Sequence, residues 1–158
     1  MAGSPPSALQ DRYAPSSVCF GCGPANPKGL RIKSRVEGDS VVADAKVAPH
    51  HLAFEGFVNG GILGVLLDCH SNWASLYYLM RSQGLSRPPA TVTSNYSVTF
   101  HRPTPIDRVL HLTSRPAEIR VDRAVVETTL DAGGKTTASF RGTFVAVKEG
   151  HPAYGRWG

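Results

Sequence analysis

An α+β fold, with one antiparallel sheet laid against a single long helix, is predicted for this chain by three observations. The stretch 60–83 lacks proline and is apolar over most of its circumference, which predicts a long, buried helix. On both sides of it, apolar residues recur with a period of two, as in half-buried strands. The later strands follow one another through short turns without intervening helices, which excludes βαβ alternation. The 158 residues suit a single core.

The elements follow in order. Residues 1–17 are rich in Pro, Ser and Ala without periodicity, which predicts a flexible or loosely docked lead-in. The folded domain is expected over 18–149, with 150–158 as a tail. Its first segment, Cys19-Phe20-Gly21-Cys22-Gly23-Pro24, continues through Asn26-Pro27-Lys28-Gly29-Leu30 and is dense in turn residues, so it should fold as a tight loop. Strands are expected over 31–36 and 41–47, around Glu37-Gly38-Asp39. A loop with Pro49, His50 and His51 leads to the helix. Four more strands, 90–100, 109–119, 124–130 and 136–147, are separated by Arg102-Pro103-Thr104-Pro105, Val121-Asp122-Arg123 and Asp131-Ala132-Gly133-Gly134. Nothing covers the sheet edges, so pairing with a second copy is expected.

Composition narrows the function. A content of 41% hydrophobic and 18% charged residues is that of a globular protein, and the net charge of +5 is scattered rather than gathered into an arm, so no nucleic-acid partner is expected. No run approaches about 18 apolar residues, so no membrane span is expected. The start has no basic segment followed by an apolar one, and a cytoplasmic location is the expectation. Three cysteines are too few and odd for a secreted disulfide framework. Cys19 and Cys22 have the gap of a zinc knuckle, but a second such pair is missing, and only Cys69, His50, His51 and His70 are near in sequence to complete a site. The cysteines are therefore expected to be reduced and to pack the loop, with no metal and no cofactor. No phosphate-binding glycine string occurs.

The chemistry concentrates on the helix. Gly61, Gly64, Asp68, Asn72 and Ser75 recur every three or four residues and share one face. A carboxylate on an otherwise apolar helix costs several kcal/mol unless paired, and such sites are often functional. Asn59 suits the N-cap, and Gly60 and Gly61 leave the first helical N–H groups unobstructed. A carbonyl oxygen could rest there against the positive helix end, as in an oxyanion site. Asp68 is the candidate base or nucleophile.

These residues resemble the hot-dog-fold acyl-CoA thioesterases of the PaaI-like branch, over about residues 19–147. Three pieces carry the resemblance. Cys19-Phe20-Gly21-Cys22-Gly23 with Asn26-Pro27 and Gly29-Leu30 is similar to the Cys-x-x-Cys-Gly-x-x-Asn-Pro-x-Gly-Leu opening of one group in that branch. His51, Gly56, Gly60-Gly61 and Leu66-Leu67-Asp68 are similar to the family's helix start. Val98-Thr99-Phe100-His101-Arg102-Pro103 is similar to a family strand ending in Arg-Pro. The resemblance implies a sheet of about six strands wrapped around the helix, and a homodimer joined edge to edge, with a dimer of dimers left open. It implies hydrolysis of an acyl-CoA to free acid and CoA. Asp68 of one subunit would act on a thioester held by the Gly60 N–H of the other, with Thr93 near the attacking water. Gly61, His51, Asn72 and Arg102 are the expected substrate contacts. Where the family has His before the glycine pair this chain has Asn59, and where some members have Asn it has Ala53. Asn59 can donate a hydrogen bond but cannot carry a proton, so a non-catalytic acyl-CoA-binding module is the alternative. A hydratase is disfavoured, because no Asp-His pair has suitable spacing.

Overall fold

The computed structural model describes residues 7–157. A short helix, α1 (Leu9–Tyr13), precedes strands β1 (Arg35–Glu37) and β2 (Ser40–Ala45). A 3-10 turn and a small hairpin, β3 (Leu52–Phe54) and β4 (Phe57–Val58), lead into the long helix α2 (Gly60–Ser82). Strands β5 (Thr91–Phe100), β6 (Leu110–Ile119), β7 (Arg123–Ala132) and β8 (Lys135–Ala146) follow. The main sheet is antiparallel throughout, in the order β1-β2-β6-β7-β8-β5, so β5 lies at one edge beside β8.

Turn chemistry sets the hairpins. Ala132 pairs with Lys135 across Gly133-Gly134, both with positive φ, the backbone that a two-residue hairpin matched to strand twist requires. Helix α2 begins at Asn59, whose Oδ1 accepts the Gly61 N–H at 2.8 Å. It ends where Gly84 takes φ 64° and Leu85 N–H reaches back to Met80 O at 2.9 Å, the usual glycine-terminated close.

The sheet curves around α2, and β2, β5, β6, β7 and β8 all touch it. Leu66, Leu67, Leu76 and Leu79 of the helix pack with Val41, Leu110, Leu112, Leu130 and Phe144 of the sheet, each essentially without solvent exposure. Burying such a side chain stabilises by about 1.5–3 kcal/mol, so this seam fixes the position of every polar residue on the helix.

Two segments differ from expectation. Residues 1–6 of the expected lead-in lie outside the described residues, but α1 is docked, with Leu9, Tyr13 and Ala14 buried. Its anchor is a buried polar chain. Gln10 donates to Ser34 Oγ at 2.9 Å and accepts the Ser34 N–H at 2.8 Å; Ser34 Oγ meets His70 Nδ1 at 2.8 Å, and His70 Nε2 meets Val41 O at 3.1 Å. Since a carbonyl only accepts, His70 carries its proton on Nε2. Burial holds this imidazole down at about 4, against the Val41 carbonyl, which favours the charged ring. Within the expected tail, Trp157 is buried and its ring lies 4.8 Å from that of Trp73.

Candidate functional site

Asp68 sits on α2 where β5 crosses it. The Thr93 hydroxyl donates to Asp68 Oδ1 at 2.8 Å. Thr93 pairs with Phe144 and Asn95 with Thr143, so Ser94 is an extra residue in β5. Such a bulge re-aims the side chains beside it. Asp68 Oδ2 makes no hydrogen bond among the described residues. Asp68 is half-buried, and burial pushes its carboxyl above the usual carboxylate value. The Thr93 hydroxyl pulls the other way, Cys19 adds to the rise, and Arg156 opposes it. A carboxylate with one oxygen fixed and the other free can accept a proton from water or attack an acyl carbon.

The second part of the site is the start of α2. Asn59 uses its side-chain oxygen on the Gly61 N–H, with a longer contact of 3.4 Å to Ile62 N–H. Gly61 is therefore not a free donor, which corrects the expectation that both glycines offer theirs. The Gly60 N–H makes no hydrogen bond among the described residues. A groove of about 400 Å³ passes this point, lined by Phe54, Phe57, Gly60, Phe100 and Arg102 among others. Phe100 and Phe54 are more than half exposed.

The remaining expected contacts divide. Arg102 lines the groove, exposed and without a side-chain partner among the described residues. His51 turns its Nδ1 to the Ala48 N–H at 2.9 Å and accepts the Asn59 N–H on its carbonyl at 2.8 Å, so it shapes the loop before the helix. Asn72 is buried, and its side-chain oxygen accepts the Thr91 hydroxyl at 2.5 Å. It fastens α2 to β5, whereas its place on the Asp68 stripe pointed toward substrate. The aromatic residues Trp73, Tyr77 and Tyr78 of α2 do not line the groove. Trp73 is buried, Tyr78 donates to Ser114 O at 2.9 Å, and Tyr77 accepts from Arg81.

Arg156 escaped sequence reasoning. It comes from the expected tail, stacks over the Trp157 ring at 3.9 Å, and reaches Asp68 electrostatically. Two aromatic residues at the chain end were its only sequence signal.

No protein-family model matches the chain, and no curated protein matches it in sequence. Solved structures do. A thioesterase superfamily protein from Shewanella loihica is 28% identical over 88% of this chain and 99% of its own, with a TM-score of 0.69. The E. coli PaaI protein from the phenylacetic acid degradation operon is 24% identical over 75% of this chain and 81% of its own, with a TM-score of 0.62. Zebra fish thioesterase superfamily member 2 is 21% identical over 78% of this chain and 90% of its own, also at 0.62. The fold is the hot-dog fold, and its neighbours are thioesterase superfamily proteins.

Proposed function

We propose that this chain hydrolyses acyl-CoA thioesters, with Asp68 as general base or nucleophile and the Gly60 N–H holding the thioester carbonyl. The observation that carries the reading is the Asp68–Thr93 pair, a half-buried carboxylate with one oxygen held and one free. The fold of thioesterase superfamily neighbours supports the reaction class. Arg102 beside the groove is a suitable partner for CoA phosphate, and Phe54, Phe57 and Phe100 suit an acyl group. Asn59 keeps its side-chain NH₂ for the substrate carbonyl, since the cap uses only its oxygen.

The two halves of the site come from different copies of the chain. Gly60 and Asp68 are eight positions apart on one helix, about 12 Å along its axis. One thioester carbonyl cannot meet both. A dimer joined along the free edge of β5 would bring Gly60 of one copy to Asp68 of the other, and the exposed Tyr96 and Phe100 of that strand favour such a joint.

The test is complementation. Gly60→Pro removes only the N–H, because proline suits the first helical position and Asn59 already has the extended backbone that proline demands of its predecessor. It should lower kcat for an acyl-CoA by about 10²–10³. Mixing it equally with Asp68→Asn under exchange conditions should restore about a quarter of the wild-type rate, since half the dimers are mixed and each has one intact site. No recovery in proven mixed dimers would refute the shared site. Saturable acyl-CoA binding with no turnover by the wild type would leave a binding module instead.

A further inference from the structure

All three cysteines of the chain meet at one point. The Sγ atoms of Cys19, Cys22 and Cys69 lie within 4.8 Å of one another, and Cys19 and Cys69 are 3.9 Å apart. Two come from the loop before β1 and the third from α2, fifty positions later. The loop is shaped for this approach. A Cβ on Gly21 would stand 2.3 Å from Cys69 Sγ and 2.7 Å from Val65, and one on Gly23 would stand 2.4 Å from Cys19 N. The Gly23 N–H donates to Cys19 O at 2.8 Å and closes the turn. Asn26 braces it further, giving its NH₂ to Val18 O at 3.1 Å and accepting the Lys28 N–H at 3.0 Å.

Trp73 Nε1 donates to Cys22 Sγ at 3.2 Å, which fixes that sulfur in the cluster. Ligands at about 2.3 Å in a tetrahedral zinc site stand about 3.8 Å apart, close to the Cys19–Cys69 separation. His70 is not a fourth ligand, because both its ring nitrogens are engaged by Ser34 and Val41. Cys19 and Cys69 are only half-buried, so solvent can reach the cluster.

We propose that Cys19, Cys22 and Cys69 form a thiolate site for one Zn²⁺ ion, with water as the fourth ligand, which clamps the loop before β1 onto α2 beside Asp68. Each thiol gives up its proton as its sulfur ligates, so loading releases up to three protons per ion. The site revises the expectation, drawn from a single Cys-x-x-Cys, that the chain holds no metal. It stands independently of the thioester reading.

The test uses untagged, full-length, reduced protein and Co²⁺ as a spectroscopic substitute. The expected result is one Co²⁺ per chain, with thiolate-to-cobalt charge-transfer absorption that Zn²⁺ abolishes on displacing it. Cys19→Ser and Cys69→Ser, at partly exposed positions, should each weaken binding at least about tenfold. Saturating Zn²⁺ should raise the Tm of the wild type by about 5–10 °C and leave those variants nearly unmoved. Absence of the charge-transfer band in folded wild type would overturn the proposal. So would unchanged cobalt affinity in both serine variants, or three thiols that still react freely with a disulfide reagent at saturating Zn²⁺.

Discussion

Asp68 and Asn72 sit one turn apart on one face of α2, each facing a threonine of β5, and they differ in what the surrounding protein does with them. At Asn72 the sheet is in regular register, the pair with Thr91 is buried, and the side-chain oxygen is used. At Asp68 the strand bulges, the pair with Thr93 is half-buried, and one carboxylate oxygen has no protein partner among the described residues. The same kind of contact between helix and strand thus fastens the fold at one turn and, in the proposed reading, presents the reactive group at the next. Spacing along the helix cannot separate these roles, because both residues obey it.

The largest effect separating them is expected from Asp68→Asn. Its amide can still accept from Thr93, so the fold is kept, while loss of the base or nucleophile should lower kcat by about 10²–10⁴. The Tm should stay level or rise, because the site raises the carboxyl pKa and therefore disfavours the ionised form. Acyl-CoA hydrolysis followed by free-thiol release, alongside a melt, gives both readouts. An equal rate in the two proteins would remove Asp68 from the mechanism.

A third polar residue of α2, His70, extends the contrast to a group committed to stability. Its folded pKa, about 4, lies below the unfolded value of 6.5, so the unfolded chain binds the extra proton between those limits. Stability should be complete above about 6.5 and fall as pH drops toward 4, by up to about 3 kcal/mol. Chemical denaturation across that range measures it. A His70→Gln variant should lose that part of the slope; an unchanged slope would assign it to other groups.

Asn72→Ala comes next. Removing the acceptor leaves the buried Thr91 hydroxyl unpaired, which should cost about 1–3 kcal/mol, with kcat within about twofold of wild type at a temperature where the variant is folded. A loss of rate like that of Asp68→Asn without loss of stability would break the comparison and return Asn72 to the substrate.

How much of this could be read from residues alone follows from range. The long helix and the strands announce themselves because periods of 3.6 and 2 differ and because Gly and Pro mark the turns. Asp68 stood out as a charge on an apolar helix. The five residues of α1 are too few to display a period, and β3 with β4 is shorter still. The meeting of Cys69 with Cys19 and Cys22, the chain from Gln10 through Ser34 to His70, and the approach of Arg156 join residues far apart in sequence. No local pattern encodes those contacts. Thr93 is named through the family resemblance; it lies two positions after Thr91, shares its strand face, and meets Asp68 just before the bulge.

The smallest effect tests the Thr93 hydroxyl most directly. Thr93→Val keeps the shape and the β-branched preference for strand but removes the hydroxyl that fixes Asp68 Oδ1. The carboxylate keeps its charge and loses one hydrogen bond worth about 1 kcal/mol or somewhat more, so kcat should fall about 3–10-fold with KM nearly unchanged. Thr91→Val, one pair along the same strand, removes the equivalent bond to Asn72 and should show its loss in the melt and not in kcat. If the two valine variants exchange these signatures, the free oxygen of Asp68 is not the functional end of the pair. If Thr93→Val leaves kcat untouched, the hydroxyl orients nothing that the reaction uses.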